Sequence, residues 1–343
     1  MVNLKNSGLM VFFLSCILIL FSCNANYSIN DENGNNGITN LKININVPEE
    51  TNITRTVSDA TINDINAFIF DNDGFLIGHS YTTNVSSITV PTRLINTSTC
   101  TICVVANYGS DITTINTLDG LRKIQTSITS ASDIANKSAE RMYGETSSTG
   151  ITSGATINVT LLHLYSKYTF VITPKAGSGI TVTSYQLCNV SNTSYLYPFG
   201  TTMVNPSSNF PSFASVTTSA AAEAAVTTPT YYIYENYPGL NKNDFSDVTG
   251  RNSTNAPSNS SYLVVTAQTS TWNSTYYIYL GGKDATNDYK IFNIPRDYNF
   301  TYNIAITGSG ATDARVSYKA NIYYSSDPSV NPWSPVTPIE VPM

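Results

Sequence analysis

The clearest pattern in this chain is a strict alternation of apolar and polar residues near its start. Between residues 41 and 47, every second side chain is apolar, which places four of them on one face of a half-buried β-strand: Leu41, Ile43, Ile45 and Val47. Pro48 follows directly and ends the pattern, because proline cannot donate a hydrogen bond to a neighbouring strand. The segment is therefore predicted to be the first strand of the fold.

Similar short runs recur along the rest of the chain, separated by residues that favour turns. They predict further strands at 65–70, 87–90, 101–106, 157–162, 165–173, 182–187, 231–234, 262–267, 276–280, 300–307 and 316–324. Between two of these runs, Asp71–Gly74 predicts a hairpin turn. A calcium loop is the alternative for this tetrapeptide, but Phe75 stands where such a loop needs an oxygen ligand.

Helical spacing is limited to two short segments. Leu118, Leu121 and Ile124 are spaced as on one helix face and predict a short covering helix within 117–128. The alanine-rich stretch at 215–226 predicts one helical turn or a small helix. The expected fold is therefore all-β with one or two short helices.

The first 22 residues have the organisation of a secretory signal peptide. Lys5 precedes an apolar run from Leu9 to Phe21, which is too short to span a bilayer usefully. The run ends in Leu20-Phe21-Ser22-Cys23, a lipobox in which the cysteine thiol can accept a diacylglyceryl group. We predict lipidation of Cys23, with ordinary signal cleavage beside an incidental cysteine as the alternative. No later segment is apolar enough to span a bilayer, so the lipid would be the membrane tether.

The remaining chain is longer than one sandwich core usually requires. We predict a signal peptide at 1–22, a lipidated propeptide with the first strand at 23–55, an N-terminal β-sandwich at 56–164 and a C-terminal β-sandwich at 165–343. The two sandwiches are expected to have Greek-key or transthyretin-like topology.

Charge and composition exclude several functions. The chain has 23 acidic and 17 basic residues and lacks a basic cluster, which argues against nucleic-acid binding. Three cysteines follow the leader, so no closed disulfide framework is implied: Cys100, Cys103 and Cys188. Cys100 and Cys103 are three residues apart on a predicted strand and would face opposite sides, which suits buried apolar residues better than a metal site.

Catalytic patterns are also missing. His79 and His163 have no local nucleophile pattern beside them, and the sparse acidic residues mostly lie in turn-like contexts. Glycosidase carboxylates distant in sequence remain an alternative. We therefore predict no enzyme activity, no cofactor and no metal. The tyrosine-rich runs 231–234 and 276–279 favour cross-strand packing, with stacking on sugar rings as the alternative.

The order of these segments resembles the Bacteroidetes fimbrillins, the subunits of type V pili. The resemblance rests on six features spread over nearly the whole chain: the lipobox at Cys23, the strand at 41–47 before an arginine, Ile65–Asp71 with its turn, Cys103–Asn107, Leu161–Phe170, and Tyr298–Gly310 followed by a tail containing Trp333.

The resemblance implies a lipoprotein precursor that reaches the outer membrane and becomes part of a cell-surface fimbrium. An arginine-specific protease would cut between Arg55 and Thr56, removing lipid and first strand together. Arg55 is the only arginine or lysine between Lys42 and Arg93. Partners would be other copies of this chain and accessory fimbrial subunits. The proposed donor strand is the C-terminal tail, with apolar anchors at Trp333, Val336, Ile339 and Val341, and 320–324 is an upstream alternative.

Loss of the first strand would leave apolar core and unpaired strand edges, which favour the addition of another strand. A subunit with one free strand and one vacant groove adds head to tail without closing into a ring. Three other functions remain open. An anchor subunit would keep its first strand, a tip subunit would present a binding face, and a surface glycan-binding lipoprotein would stay an uncut monomer.

Overall fold

A computed structural model describes residues 38–47, 61–83, 86–93, 99–135, 139–198, 205–238, 251–281 and 291–310, together with the backbone of 314–322. Over these ranges the chain is almost entirely β, which confirms the predicted fold class. The one helix in this part of the chain is α1, Leu118–Arg122, which the Thr117 side chain caps by accepting a hydrogen bond from the Gly120 N–H.

The first half of the chain forms an eight-stranded sheet. Its strands in chain order are β1 (Thr39–Asn46), β2 (Asp64–Phe70), β3 (Leu76–Thr83), β4 (Ser87–Thr92), β5 (Thr99–Ala106), β7 (Met142–Thr149), β8 (Thr156–Thr160) and β9 (Leu162–His163). Their order across the sheet is β8-β1-β4-β3-β2-β5-β7-β9. The predicted hairpin turn joins β2 to β3, where the Asp71 side chain accepts hydrogen bonds from the N–H groups of Asp73 and Phe75.

The two faces of this sheet contribute to different apolar clusters. Cys100 lies in one cluster with Ile65, Ala67 and Ile102, whereas Cys103 lies in the other with Phe68 and Val105. Adjacent strand residues point to opposite faces, so residues three apart on β5 must separate in this way. Cys100, Cys103 and Cys188 are all free thiols and buried.

The chain leaves this sheet at β9 and enters the next at Tyr165. The later strands are β10 (Tyr165–Pro174), β11 (Thr181–Cys188), β12 (Thr193–Tyr195), β13 (Val216–Thr217), β14 (Val226–Thr227), β15 (Tyr231–Tyr234), β16 (Tyr262–Gln268), β17 (Asn273–Tyr279), β18 (Tyr298–Ile306) and β19 (Ala314–Ile322). One sheet has the order β14-β10-β18-β19, with β15 also paired to β10, and another has the order β13-β11-β16-β17. One apolar cluster draws side chains from both sheets, including Phe170, Ile304, Leu187 and Val265.

The helix expected within 117–128 is shorter than predicted. It ends at Arg122, and β6 (Gln125–Ser127) follows, pairing antiparallel with β12. A tertiary partner about seventy residues away in sequence therefore overrides local helical spacing. The alanine-rich stretch at 215–226 forms no helix either, since it contains β13, a turn and the start of β14.

Candidate functional site

β1 is hydrogen-bonded along both of its edges. It runs antiparallel to β4, with Ile43 opposite Ile88, and parallel to β8, with Ile43 beside Ile157. We call the space that β1 occupies the first-strand slot; its walls are the facing edges of β4 and β8. The strand sits inside the sheet although it is the first described strand of the chain, so its removal would leave two edges unpaired.

Successive residues of β1 form their backbone hydrogen bonds with opposite walls of the slot. Ile45 donates its N–H to the Ser86 carbonyl at 2.9 Å, on the β4 side. Lys42 donates to the Ala155 carbonyl at 3.0 Å, and the Asn46 carbonyl accepts from Leu161 N–H at 2.9 Å, both on the β8 side. The residues with inward side chains therefore pair with β4, and those with outward side chains pair with β8.

The floor of the slot is an apolar cluster. Leu41 and Ile43 are fully buried in it, and Ile45 and Val47 pack against it while partly buried. Lys42 and Asn46, which alternate with them, are exposed. Burial of each large aliphatic side chain contributes roughly 1.5–3 kcal/mol, so β1 makes a substantial contribution to this core.

β8 depends on β1. Among the described strands, β1 is the only ladder partner of β8. Val159 and the following Leu161 are fully buried in the slot's cluster. Gly144 on β7 faces the Thr160 carbonyl so closely that a Cβ atom there would overlap it. The second wall of the slot is thus held by side-chain packing and by β1 itself.

Several residues singled out from the sequence lie outside the described residues. They are Cys23, Arg55 and Thr56, and the tail residues Trp333, Val336, Ile339 and Val341. The upstream alternative at 320–324 is described only to residue 322, where its backbone belongs to β19 and pairs antiparallel with β18.

Each of the two histidines lies beside an acidic side chain. His79 stacks on Phe68, with ring centroids 4.4 Å apart, and its Nε2 lies 3.3 Å from an Asp111 carboxylate oxygen. Burial lowers the pKa of His79, against the opposing effect of Asp111. His163 is buried, and its Nδ1 lies 2.9 Å from Oδ1 of Asp297. A catalytic triad needs an imidazole held by an acid and placed beside a nucleophile, and these contacts account for the first requirement alone.

The sequence analysis did not predict a buried ion pair that the structure contains. The Arg296 guanidinium donates to the carboxylate of Glu235, and also to the Ser194 hydroxyl at 2.9 Å and the Leu196 carbonyl at 2.6 Å. Both charged side chains are almost completely buried. These residues are up to 102 positions apart in the sequence, so no local pattern could have indicated the pairing.

Over the described ranges of the chain, no group of three or more His, Cys, Asp or Glu side chains is placed to hold a metal ion. Within the same ranges, no helix combines the length and apolar character needed to cross a membrane.

Sequence comparison gives one partial match. A family model described as a domain of unknown function, DUF4906, matches residues 231–304. Among curated proteins, none matches the sequence.

Several solved structures share the architecture. A fimbrilin, FimA, from Porphyromonas gingivalis is 12% identical with a TM-score of 0.56, and the match covers 82% of this chain and 96% of that one. A protein from Bacteroides eggerthii, provisionally described as a cell adhesion protein, is 16% identical with a TM-score of 0.54, covering 82% and 95%. A similarly described protein from Parabacteroides distasonis is 13% identical with a TM-score of 0.52, covering 80% and 89%. The resemblance to fimbrillins is therefore confirmed at the level of the fold.

Proposed function

We propose that this chain is a structural subunit of a bacterial surface fimbria. It is exported as a lipoprotein precursor anchored through Cys23, cut after Arg55 by an arginine-specific protease, and polymerised when a tail from another copy replaces β1. Residues 56–164 and 165–343 form its two sandwich domains in this proposal. It acts without catalysis and without a cofactor.

The observation that carries the proposal is the position of β1. A strand that is the first of the described strands, paired on both edges and buried at Leu41 and Ile43, leaves a complete strand-shaped slot when it is removed. The slot offers two unpaired edges and an apolar floor, which are the features that a strand-adding partner needs. The fold shared with FimA from Porphyromonas gingivalis supports the same function.

Retention of β1 after a backbone cut is expected from the same contacts. Arg55 lies between β1 and β2 in the sequence, so cleavage there separates the strand covalently from the rest of the chain. The hydrogen bonds to β4 and β8 and the apolar contacts are unaffected by that cut. Cleavage therefore permits exchange, and the incoming strand must displace a bound one.

The test follows the molecular mass of the chain and the size of its assemblies together. Purified lipid-free precursor is treated with an arginine-specific protease. We expect cleavage after Arg55, loss of the segment containing residues 41–47, and formation of high-molecular-weight assemblies. Arg55→Gln should block all three changes. Arg93→Gln is the matched control and should behave like the unaltered chain, since Arg93 is an exposed arginine just beyond β4.

Two results would contradict the shaft-subunit proposal. If Arg55 resists the protease in folded precursor, an anchor subunit that keeps its first strand or a surface glycan-binding lipoprotein becomes the better description. If the cut chain remains monomeric with its slot filled, a tip subunit becomes the better description.

A further inference from the structure

We infer that the slot accepts the tail of a second copy with one alternation of inward and outward side chains only, which we call its phase. In this phase Ile339 and Val341 face the apolar cluster, and Val336 and Glu340 face outward. This inference rests on the proposed function and specifies how its partner strand is held. It also revises the expected anchors, because Val336 is removed from the buried set.

Side-chain alternation leaves two possible phases for residues 336–342. In one phase Thr337, Ile339 and Val341 face inward. In the other phase Val336, Pro338, Glu340 and Pro342 do so. The cluster beneath the slot is built from apolar side chains, and the β1 residues at its centre, Leu41 and Ile43, are fully buried. A carboxylate placed among these apolar side chains would lose its hydration and gain no hydrogen bond from them, so the phase that buries Glu340 is strongly disfavoured.

The hydrogen-bonding pattern of the walls agrees with this choice. Inward-facing residues of β1 pair with β4, as Ile45 does with the Ser86 carbonyl. In the favoured phase the residues in this role include Ile339 and Val341, which both have an N–H to donate. The tail can therefore complete the β4 ladder at its apolar anchors.

The tail offers fewer N–H donors to the β8 wall than β1 does. Outward-facing residues of β1 pair with β8, as Lys42 does with the Ala155 carbonyl at 3.0 Å. In the favoured phase these positions fall on Pro338, Glu340 and Pro342, and the two prolines have no N–H. Since β1 is the only described ladder partner of β8, we expect β8 to be held more loosely by a tail than by β1.

The phase is tested by a matched pair of charge substitutions in the full chain. Val341→Asp should reduce growth of large species at least tenfold, because it places a carboxylate in the cluster. Val336→Asp should change the growth rate less than twofold. Both precursors should melt at the same temperature as the unaltered precursor, because their slots are still filled by β1.

Equal loss of growth in the two variants overturns the phase and leaves the proposed function intact. Undiminished assembly of the Val341→Asp variant also contradicts the inferred phase. If the unaltered chain fails to grow after cleavage, both the phase and the proposed function are wrong.

Amide hydrogen exchange measures how firmly β8 is held in the precursor and in the assembly. A proline still offers its carbonyl to β8, so the exchange reports how firmly the whole strand is held. The amides that donate to β1 in the precursor, such as that of Leu161 to the Asn46 carbonyl, should exchange at least tenfold faster in assembled material than in uncut precursor. Pro338→Ala restores a donor toward β8 and should slow that exchange in assembled material. Equal protection of these amides in precursor and assembly would contradict the inferred hydrogen-bonding pattern.

Discussion

His163 and Asp297 are 134 residues apart in sequence, yet Oδ1 of Asp297 accepts the backbone N–H of His163 at 3.1 Å and lies 2.9 Å from its ring Nδ1. Both side chains are buried. The contact ties β9, the last strand of the first sheet, to the turn that precedes β18. Asp297 has a backbone φ of 62°, a conformation that Asp and Asn tolerate better than most residues.

Asp297→Ala should lower the free energy of unfolding by about 1–3 kcal/mol, because it removes the acceptor of the buried His163 N–H and the partner of the His163 ring Nδ1. Asp297→Asn keeps an oxygen at the same place and a residue suited to positive φ, so it should lose clearly less. Urea unfolding of the two variants and the unaltered chain measures the difference. Equal losses would show that the Oδ1 acceptor is unimportant.

His79 should make stability depend on pH in a defined direction. Burial lowers the pKa of its imidazole in the folded chain, so the unfolded state binds the proton more tightly. The stability contribution is therefore present above the ordinary pKa of about 6.5 and is lost as the pH falls through the lowered value. Thermal unfolding of the unaltered chain and of His79→Gln between pH 7.5 and 5 should show the steeper loss in the unaltered chain. Parallel curves would contradict this prediction.

Gly144→Ala should destabilise the fold through β8. The new methyl group would overlap the Thr160 carbonyl and crowd the Val159 side chain, and displacement of packed backbone typically costs about 1–3 kcal/mol. Ser147→Ala on the same strand is the control, since Ser147 is exposed. Chemical unfolding should separate the two variants, and similar midpoints would show that β8 yields without cost.

The contribution of β1 to the precursor can be measured by adjacent substitutions. Ile43→Ala creates a cavity at a fully buried position and should cost about 2–5 kcal/mol of precursor stability. Lys42→Ala alters an exposed neighbour and should change stability by less than about 0.5 kcal/mol. Denaturant midpoints of the uncut proteins provide the measurement. A small effect of Ile43→Ala would mean that β1 is not an integral part of the core.

Cys100 should report on opening of the slot. Its thiol is buried in the cluster beneath β1, whereas Cys103 on the same strand faces the opposite cluster. After cleavage at Arg55 and removal of β1, a thiol reagent should label Cys100 much faster than in the precursor, while Cys103 stays protected. Peptide mapping identifies the labelled cysteine. Equal labelling of both thiols would indicate general unfolding instead of local opening.

Local pattern was a good guide where a strand has one buried face. Residues 41–47 alternate strictly, and the structure places the predicted inward side chains against one apolar cluster. The pattern failed at 123–128, where Ile124 continues a helical spacing but the chain forms β6. There the pairing with β12 stabilises an extended backbone, and a partner so distant in sequence leaves no local signal.

The β-rich character of the chain, the positions of most strands and the inward side chains of β1 follow from the amino-acid order. These properties depend on the two-residue period of a strand, which each segment carries alone. The position of β1 between β4 and β8, antiparallel to one and parallel to the other, is set by tertiary packing. Tertiary packing also brings Arg296 to Glu235 in the interior. Such neighbours are set by packing and hydrogen bonding between segments far apart in the chain, as with Lys42 and Thr156, and no local period encodes them.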